Sequence, residues 1–388
     1  MDTQPISGLT PTESSIEAES PTEHPATPPS VQRGATLTSQ GSRLADDLAF
    51  AAELELNEVR LDIPWATAQP KPGAIDGDVF EQAHVAATMA RGLGLQPWFR
   101  LLQPAIPNWF DNDGGFADDR TAGHWWPRWV ELVAEQLGEV AAGWVPFEAP
   151  YALSHRLIPN DPRRHGELMN TLVVAWRDAW RILRVGPPVA TSLDVATERP
   201  TNSSEEAIQE AHRRDQLRWG LWLEGLRDGV VRIPGRADKQ LADLEGACSI
   251  VGLAIRGDVE AGLHRAGEQG PERPMAVTFR PIGDSDGTRA QSVTTMWRDV
   301  RRCAGEIEIA SVTITPFTDT LNNTTESPDM DDIKAQSAKS AVRTHRAVSP
   351  KRRAYASRRR KTLAGSRGSG PSTARSRATC QLVRMAPS

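Results

Sequence analysis

At 388 residues, with 39% hydrophobic residues and a mean hydropathy of −0.45, the chain can bury one large α/β domain but carries more polar sequence than one core of that length needs. No apolar run reaches the ~20 residues of a membrane span. The start, MDTQPISGLTPTESSIEAES, has acid where a signal peptide has positive charge, so a cytoplasmic protein with no membrane partner is expected. The net charge of −5 hides an asymmetry: fifteen of the 45 Lys and Arg lie from Lys334 onward, where there is no Asp or Glu, leaving thirty against all fifty acids.

Residues 1–30 are rich in Pro, Thr, Ser and Glu with almost no bulky apolar side chain. They cannot offset the entropy of ordering and read as a disordered arm. GATLTS (34–39) offers a short first strand. Leu44, Leu48, Ala51 and Ala52 then recur at helical spacing before EVRLDIPW, and Phe80, Ala83 and Ala87 before LQPWFRLL. Trp126, Trp129, Val130, Val133 and Leu137 form one helical stripe ahead of GWVPFEAP. Leu168, Leu172, Trp176, Ala179, Trp180 and Leu183 form another ahead of PPVATSLDV. LRWGLWLEGLRDG precedes ACSIVGLAI, and VTTMWRDVRRC precedes EIEIASVTI, while GEQGPERP and GDSDG read as turns.

Strands that each follow a helix, and that are nearly continuously apolar, predict a parallel sheet covered on both faces. The expected fold class is α/β, a (β/α)8 TIM-type barrel over residues 31–320, incompletely closed, with a doubly wound open sheet as the alternative. Nothing after Thr320 reads as an eighth strand. Residues 321–388 are expected to be a disordered basic tail with three readings. It binds nucleic acid through Arg352, Arg353, Arg358, Arg359, Arg360 and Lys361, it is a solvated linker, or it is the product of a changed reading frame that replaced the last strand. Cys248, Cys303 and Cys380 are widely spaced, and the eight His form no H-x-x-x-H or H-E-x-x-H, so neither a disulfide framework, a metal nor a cofactor is expected.

LADDLAFAAELELNEVRLDIPWATAQPKPGAID, LQPWFRLLQPAIPNWFDNDGGF and GWVPFEAP stand in the order and near the spacing of family 1 glycoside hydrolases. From about Ser42 to Ala152 the chain resembles that family of retaining β-glucosidases, and more thinly beyond. The resemblance implies a (β/α)8 barrel, hydrolysis of O-glycosidic bonds and a small carbohydrate or glycoside as ligand. Retaining hydrolysis needs two carboxylates ~5 Å apart, one a nucleophile and one first acid, then base.

The family's acid/base is the Glu of Trp-x-x-x-Asn-Glu-Pro. Anchoring Trp144 and Pro150 puts Glu148 on the Asn and Ala149 on the catalytic Glu. Sliding the motif by one residue would make Glu148 the acid, at the expense of both anchors. The nucleophile belongs after the seventh strand in an Ile-Thr-Glu-Asn-Gly-like segment, where IEIASVTITPFTDT puts Ser311. Arg60 matches the Arg beside the nucleophile, Trp65 is retained, and Gln103 stands for the sugar-binding His. Trp65, Trp98 and Trp109, on or just after strands, are the pocket candidates among the tryptophans, with the helical ones assigned to packing. Arg60, Trp65, Gln103 and Trp109 are thus the expected substrate contacts, and Glu148 is the candidate catalytic group.

The expected function is a β-glucosidase-like homologue with impaired or lost catalysis. The alternatives are an active retaining glycosidase using Glu148, and a non-catalytic sugar-binding or interaction protein. Glu308, the other acid near Ser311, has the opposite strand parity and is expected to face the helix layer or solvent.

Overall fold

The computed structural model describes residues 31–38, 42–102, 105–158, 164–255 and 257–317. The expected arm and tail lie outside the described residues, as does Gln103. Five strands alternate with helices in the first half: β1 (Gln32–Leu37), α1 (Ser42–Glu53), β2 (Glu58–Asp62), α2 (Trp65–Ala68), α3 (Gly77–Gly92), β3 (Gln96–Leu102), α4 (Asn108–Asn112), α5 (Asp119–Leu137), β4 (Gly143–Phe147), α6 (Pro150–Leu157), α7 (His165–Leu183) and β5 (Leu193–Val195). There follow α8 (Glu205–Asp215), a π-turn at Gln216–Gly220, α9 (Leu221–Asp228) and a small hairpin of β6 (Val230–Val231) and β7 (Lys239–Gln240). The chain returns to the sheet with β8 (Val251–Ile255), α10 (Val259–Gln269), β9 (Met275–Phe279), α11 (Asp286–Cys303) and β10 (Ile309–Ile314).

Among the described residues, eight strands form one parallel sheet in the order β4-β3-β2-β1-β10-β9-β8-β5. First and last strands pair, with Gln32 opposite Ser311 and Gly34 opposite Thr313. The sheet curls until β4 meets the segment leading into β5. There the join is thin: one bridge, Trp144 to Val189, with Trp144 N donating to Pro188 O and Ala190 N to Trp144 O at 2.9 Å each, and Ala149 N to Ser192 O at 2.7 Å. This is the eight-stranded (β/α) barrel, and its weak seam lies between the fourth and fifth strands. The sequence reading expected the gap beside the last strand.

The reason is a miscounted strand. Residues 275–279, MAVTF, lie between α10 and α11 and directly follow a Gly- and Pro-rich turn that hides them in the sequence. All five are buried. β10, expected as the seventh strand, is therefore the eighth, and Ser311 sits on it.

Helix ends follow the chemistry of their caps. Asp118 accepts from Thr121 N at 2.8 Å to start α5, Asp258 accepts from Ala261 N at 3.0 Å to start α10, and Ser285 with Thr288 forms a capping box on α11. The α5 stripe of Trp126, Trp129, Val130, Val133 and Leu137 is fully buried, as are Leu168, Leu172, Trp176, Ala179 and Leu183 on α7; Trp180 is only partly so. Between sheet and helices runs an aromatic belt. Phe147 of β4 meets Trp126, Trp176 and Trp222 at ring centroid distances of 6.0, 5.7 and 6.0 Å. None of the described helices is long and apolar enough to cross a membrane.

Candidate ligand site at the barrel mouth

The second strand, EVRLD, alternates by polarity, and the two sets part to opposite faces. Val59 and Leu61 join the core between sheet and helices. Glu58 turns inward, where its Oε1 accepts from the hydroxyls of Ser311 at 3.2 Å and Thr313 at 2.6 Å. Gly34 opposite leaves the room for it: a Cβ there would lie 2.4 Å from Glu58 Cγ. Arg60, one step up and 2% exposed, donates through Nη1 to Thr278 Oγ1 at 2.5 Å and lies 3.7 Å from Glu58 Oε1. Its Nε is buried with no hydrogen-bond partner. Burial outweighs the attraction of Glu58 and Glu148 and lowers the Arg60 pKa, though an arginine remains charged.

Asp62 ends the same strand and opens the mouth. Arg100 of β3 clamps it in a fork, Nε to Oδ1 at 2.6 Å and Nη2 to Oδ2 at 2.8 Å, and donates its remaining Nη1 to Glu148 Oε2. The three side chains keep 13%, 14% and 21% of their surface for Arg100, Asp62 and Glu148. Burial alone would raise the Glu148 pKa, but Arg100, then Arg60 and Arg280, outweigh it and hold the carboxyl below the usual glutamate range. The same pairing has the mirror effect on Arg100: burial would lower its pKa, and Asp62 and Glu148 together raise it instead.

Ala149 follows at φ 49° and ψ 63°, the left-handed region, before Pro150 starts α6. Across the seam from β4 the π-turn carries Arg218 to Asp194 of β5 at 3.1 Å and to Glu198 at 2.6 Å. Its guanidinium lies 4.5 Å from the centroid of the Tyr151 ring. π-turns are rare and recur at functional sites, and this one, Gln216–Gly220, carries Arg218.

Of the residues expected at the site, Arg60 and Glu148 come together around Arg100. Trp65 does not join them. It is fully buried in the helix layer, stacked on Trp129 at 5.4 Å and 13°, with Nε1 donating to Gln69 Oε1 at 2.9 Å, so it is packing rather than a pocket wall. Trp109 is half-buried, packs edge-on to Trp125 at 4.8 Å and donates to Gln69 O at 2.8 Å. Trp98 fills the lower barrel with Val145 and Ala190, against Gly143, where a Cβ would lie 2.3 Å from its ring. Ser311, 4% exposed, serves Glu58 deep in the eighth strand rather than the mouth. Glu308 is exposed. Sequence reasoning missed Asp62, Arg100, Asp194 and Arg218. For Asp62 the alternation Glu58, Arg60, Asp62 along β2 was a legible signal, and for Arg100 its being the one charge within an apolar strand run.

No family model matches the sequence, and no curated protein does. Solved structures do match. A β-glycosidase from Pyrococcus horikoshii covers 72% of this chain and 76% of its own at a TM-score of 0.64 and 17% identity. The fold is that of the family 1 β-glycosidases. A GH1 β-glucosidase from Exiguobacterium antarcticum B7 aligns at TM-score 0.62 and 14% identity over 71% of this chain and 77% of that one. Aphid myrosinase aligns at 0.64 and 10% over 75% and 90%. On this fold the functional end is the C-terminal face of the strands, the face where Asp62 and Glu148 emerge. With the seventh strand now at 275–279, none of residues 276–282 is a carboxylate. β10, Ile309–Ile314, likewise carries no carboxylate.

Proposed function

We infer that this chain is a glycosidase-fold protein that binds a small carbohydrate or glycoside at the barrel mouth and has impaired or lost hydrolysis. One observation carries the reading: Glu148, the only expected catalytic carboxylate at the mouth, is held ionised by a guanidinium, with alanine as its neighbour in the acid position. A glycosidase acid needs its pKa raised so that it carries a proton at working pH, and a retaining mechanism needs a second carboxylate ~5 Å away as nucleophile. Asp62 cannot readily take that part, because both of its oxygens are engaged by Arg100. Glu148 and Arg60 suit hydrogen bonds to sugar hydroxyls, and Gln103 and Trp109 remain proposed contacts.

Calorimetric titration with glucose, galactose and methyl β-glucoside tests the binding half. Saturable binding of at least one, weakened by Glu148→Ala, is expected. Folded protein that binds none of them would favour an interaction role without a sugar.

A further inference from the structure

We propose that Asp62 and Arg100 are a positioning pair that fixes Glu148 as an ionised hydrogen-bond acceptor, so that the barrel mouth receives ligand hydroxyls and donates no proton. The inference deepens the reading above and rests on it for the ligand, but the clamp itself stands on its own geometry. The fork on Asp62, at 2.6 and 2.8 Å, fixes the plane of the Arg100 guanidinium. A bidentate contact of this kind is the arrangement an arginine makes and a lysine cannot. The fork engages Nε and Nη2 and so fixes where the Nη1 hydrogens can point, and Nη1 donates to Glu148 Oε2. Asp62 is thus not a competing ligand but the group that aims Arg100.

The charges around Glu148 come from three strands. From β2 there are Glu58, Arg60 and Asp62, from β3 Arg100, and at the end of β9 Arg280. Glu58 is engaged deeper in the barrel by Ser311 and Thr313, and Asp62 is covered by the fork. Glu58 thus offsets part of Arg60 and Asp62 part of Arg100, yet Arg100, Arg60 and Arg280 still outweigh burial at Glu148. Sign follows directly: with its pKa lowered by folding, Glu148 contributes stability that is present above the unfolded glutamate value of about 4.3 and lost as pH falls through the lower folded value.

The test is carbon NMR of the full chain with labelled glutamate, following each carboxyl through an acid titration. The Glu148 signal is assigned by its loss in Glu148→Gln. In the wild type it should titrate below the exposed glutamates of the same chain, and in Arg100→Gln it should move up to or beyond them. Arg100→Lys, which keeps the charge but cannot form the fork, should shift it part of the way and remains informative should Arg100→Gln not fold. A wild-type Glu148 that titrates with the exposed glutamates would overturn the proposal. So would a Glu148 unmoved by either substitution. Because this readout needs no sugar, a failure of the clamp and a failure of the sugar-binding reading are separable.

Discussion

Ala149 occupies a backbone conformation that costs an L-residue with a Cβ about 1 kcal/mol relative to glycine. The surroundings hold it there: its N–H donates to Ser192 O across the barrel seam, and Pro150 follows as the first residue of α6. Ala149→Gly should therefore stabilise the fold by about 1 kcal/mol in urea unfolding. Destabilisation would mean that the alanine methyl has a packing role outweighing the strain. At this scale the sequence was a partial guide. The motif around Trp144 and Pro150 singled out Glu148, which the structure pairs with Arg100, a residue the sequence reading passed over. Trp65 was misread because a tryptophan just after a strand reads alike whether it turns to the mouth or into the helix layer. Only the aromatic neighbours supplied by α4 and α5 decide that.

At the scale of elements, amphipathic stripes made α5 and α7 legible in detail, because a helix that covers a sheet must bury one face. Strands were harder. Those flanked by helices with strong stripes were found, whereas β9 followed α10, a short helix of mixed polarity, and vanished into a turn. That one omission moved Ser311 from the expected nucleophile position to the polar lining of the eighth strand. The lining also explains EVRLD: a buried Glu58 is tolerated because two hydroxyls and Arg60 meet it and Gly34 makes room. Gly34→Ala would drive a methyl into the Glu58 side chain and displace it from Ser311 and Thr313. A loss of about 2 kcal/mol is expected by chemical denaturation, and a neutral effect would show that β1 and β2 separate easily.

For the molecule as a whole, the parallel α/β class was readable from the alternation of helix and strand, which left a barrel and a doubly wound open sheet as alternatives. Closure was not readable, because pairing of the first strand with the last is a contact between residues far apart in the chain. The proposed loss of hydrolysis rests on the chemistry of the mouth, since the fold itself matches the β-glycosidases. The mouth brings Arg100, Asp62 and Glu148 into one ion cluster in which both acids pair with the same guanidinium, and Arg60 pairs with Glu58 below it. Such a cluster is suited to holding hydroxyls and ill suited to moving protons. The most direct test is release of nitrophenol from aryl β-glucosides and β-galactosides between pH 4 and 9, wild type beside Glu148→Gln. The account predicts turnover at or near the uncatalysed rate and no difference between the two proteins. Robust turnover by the wild type, abolished in Glu148→Gln, would contradict it.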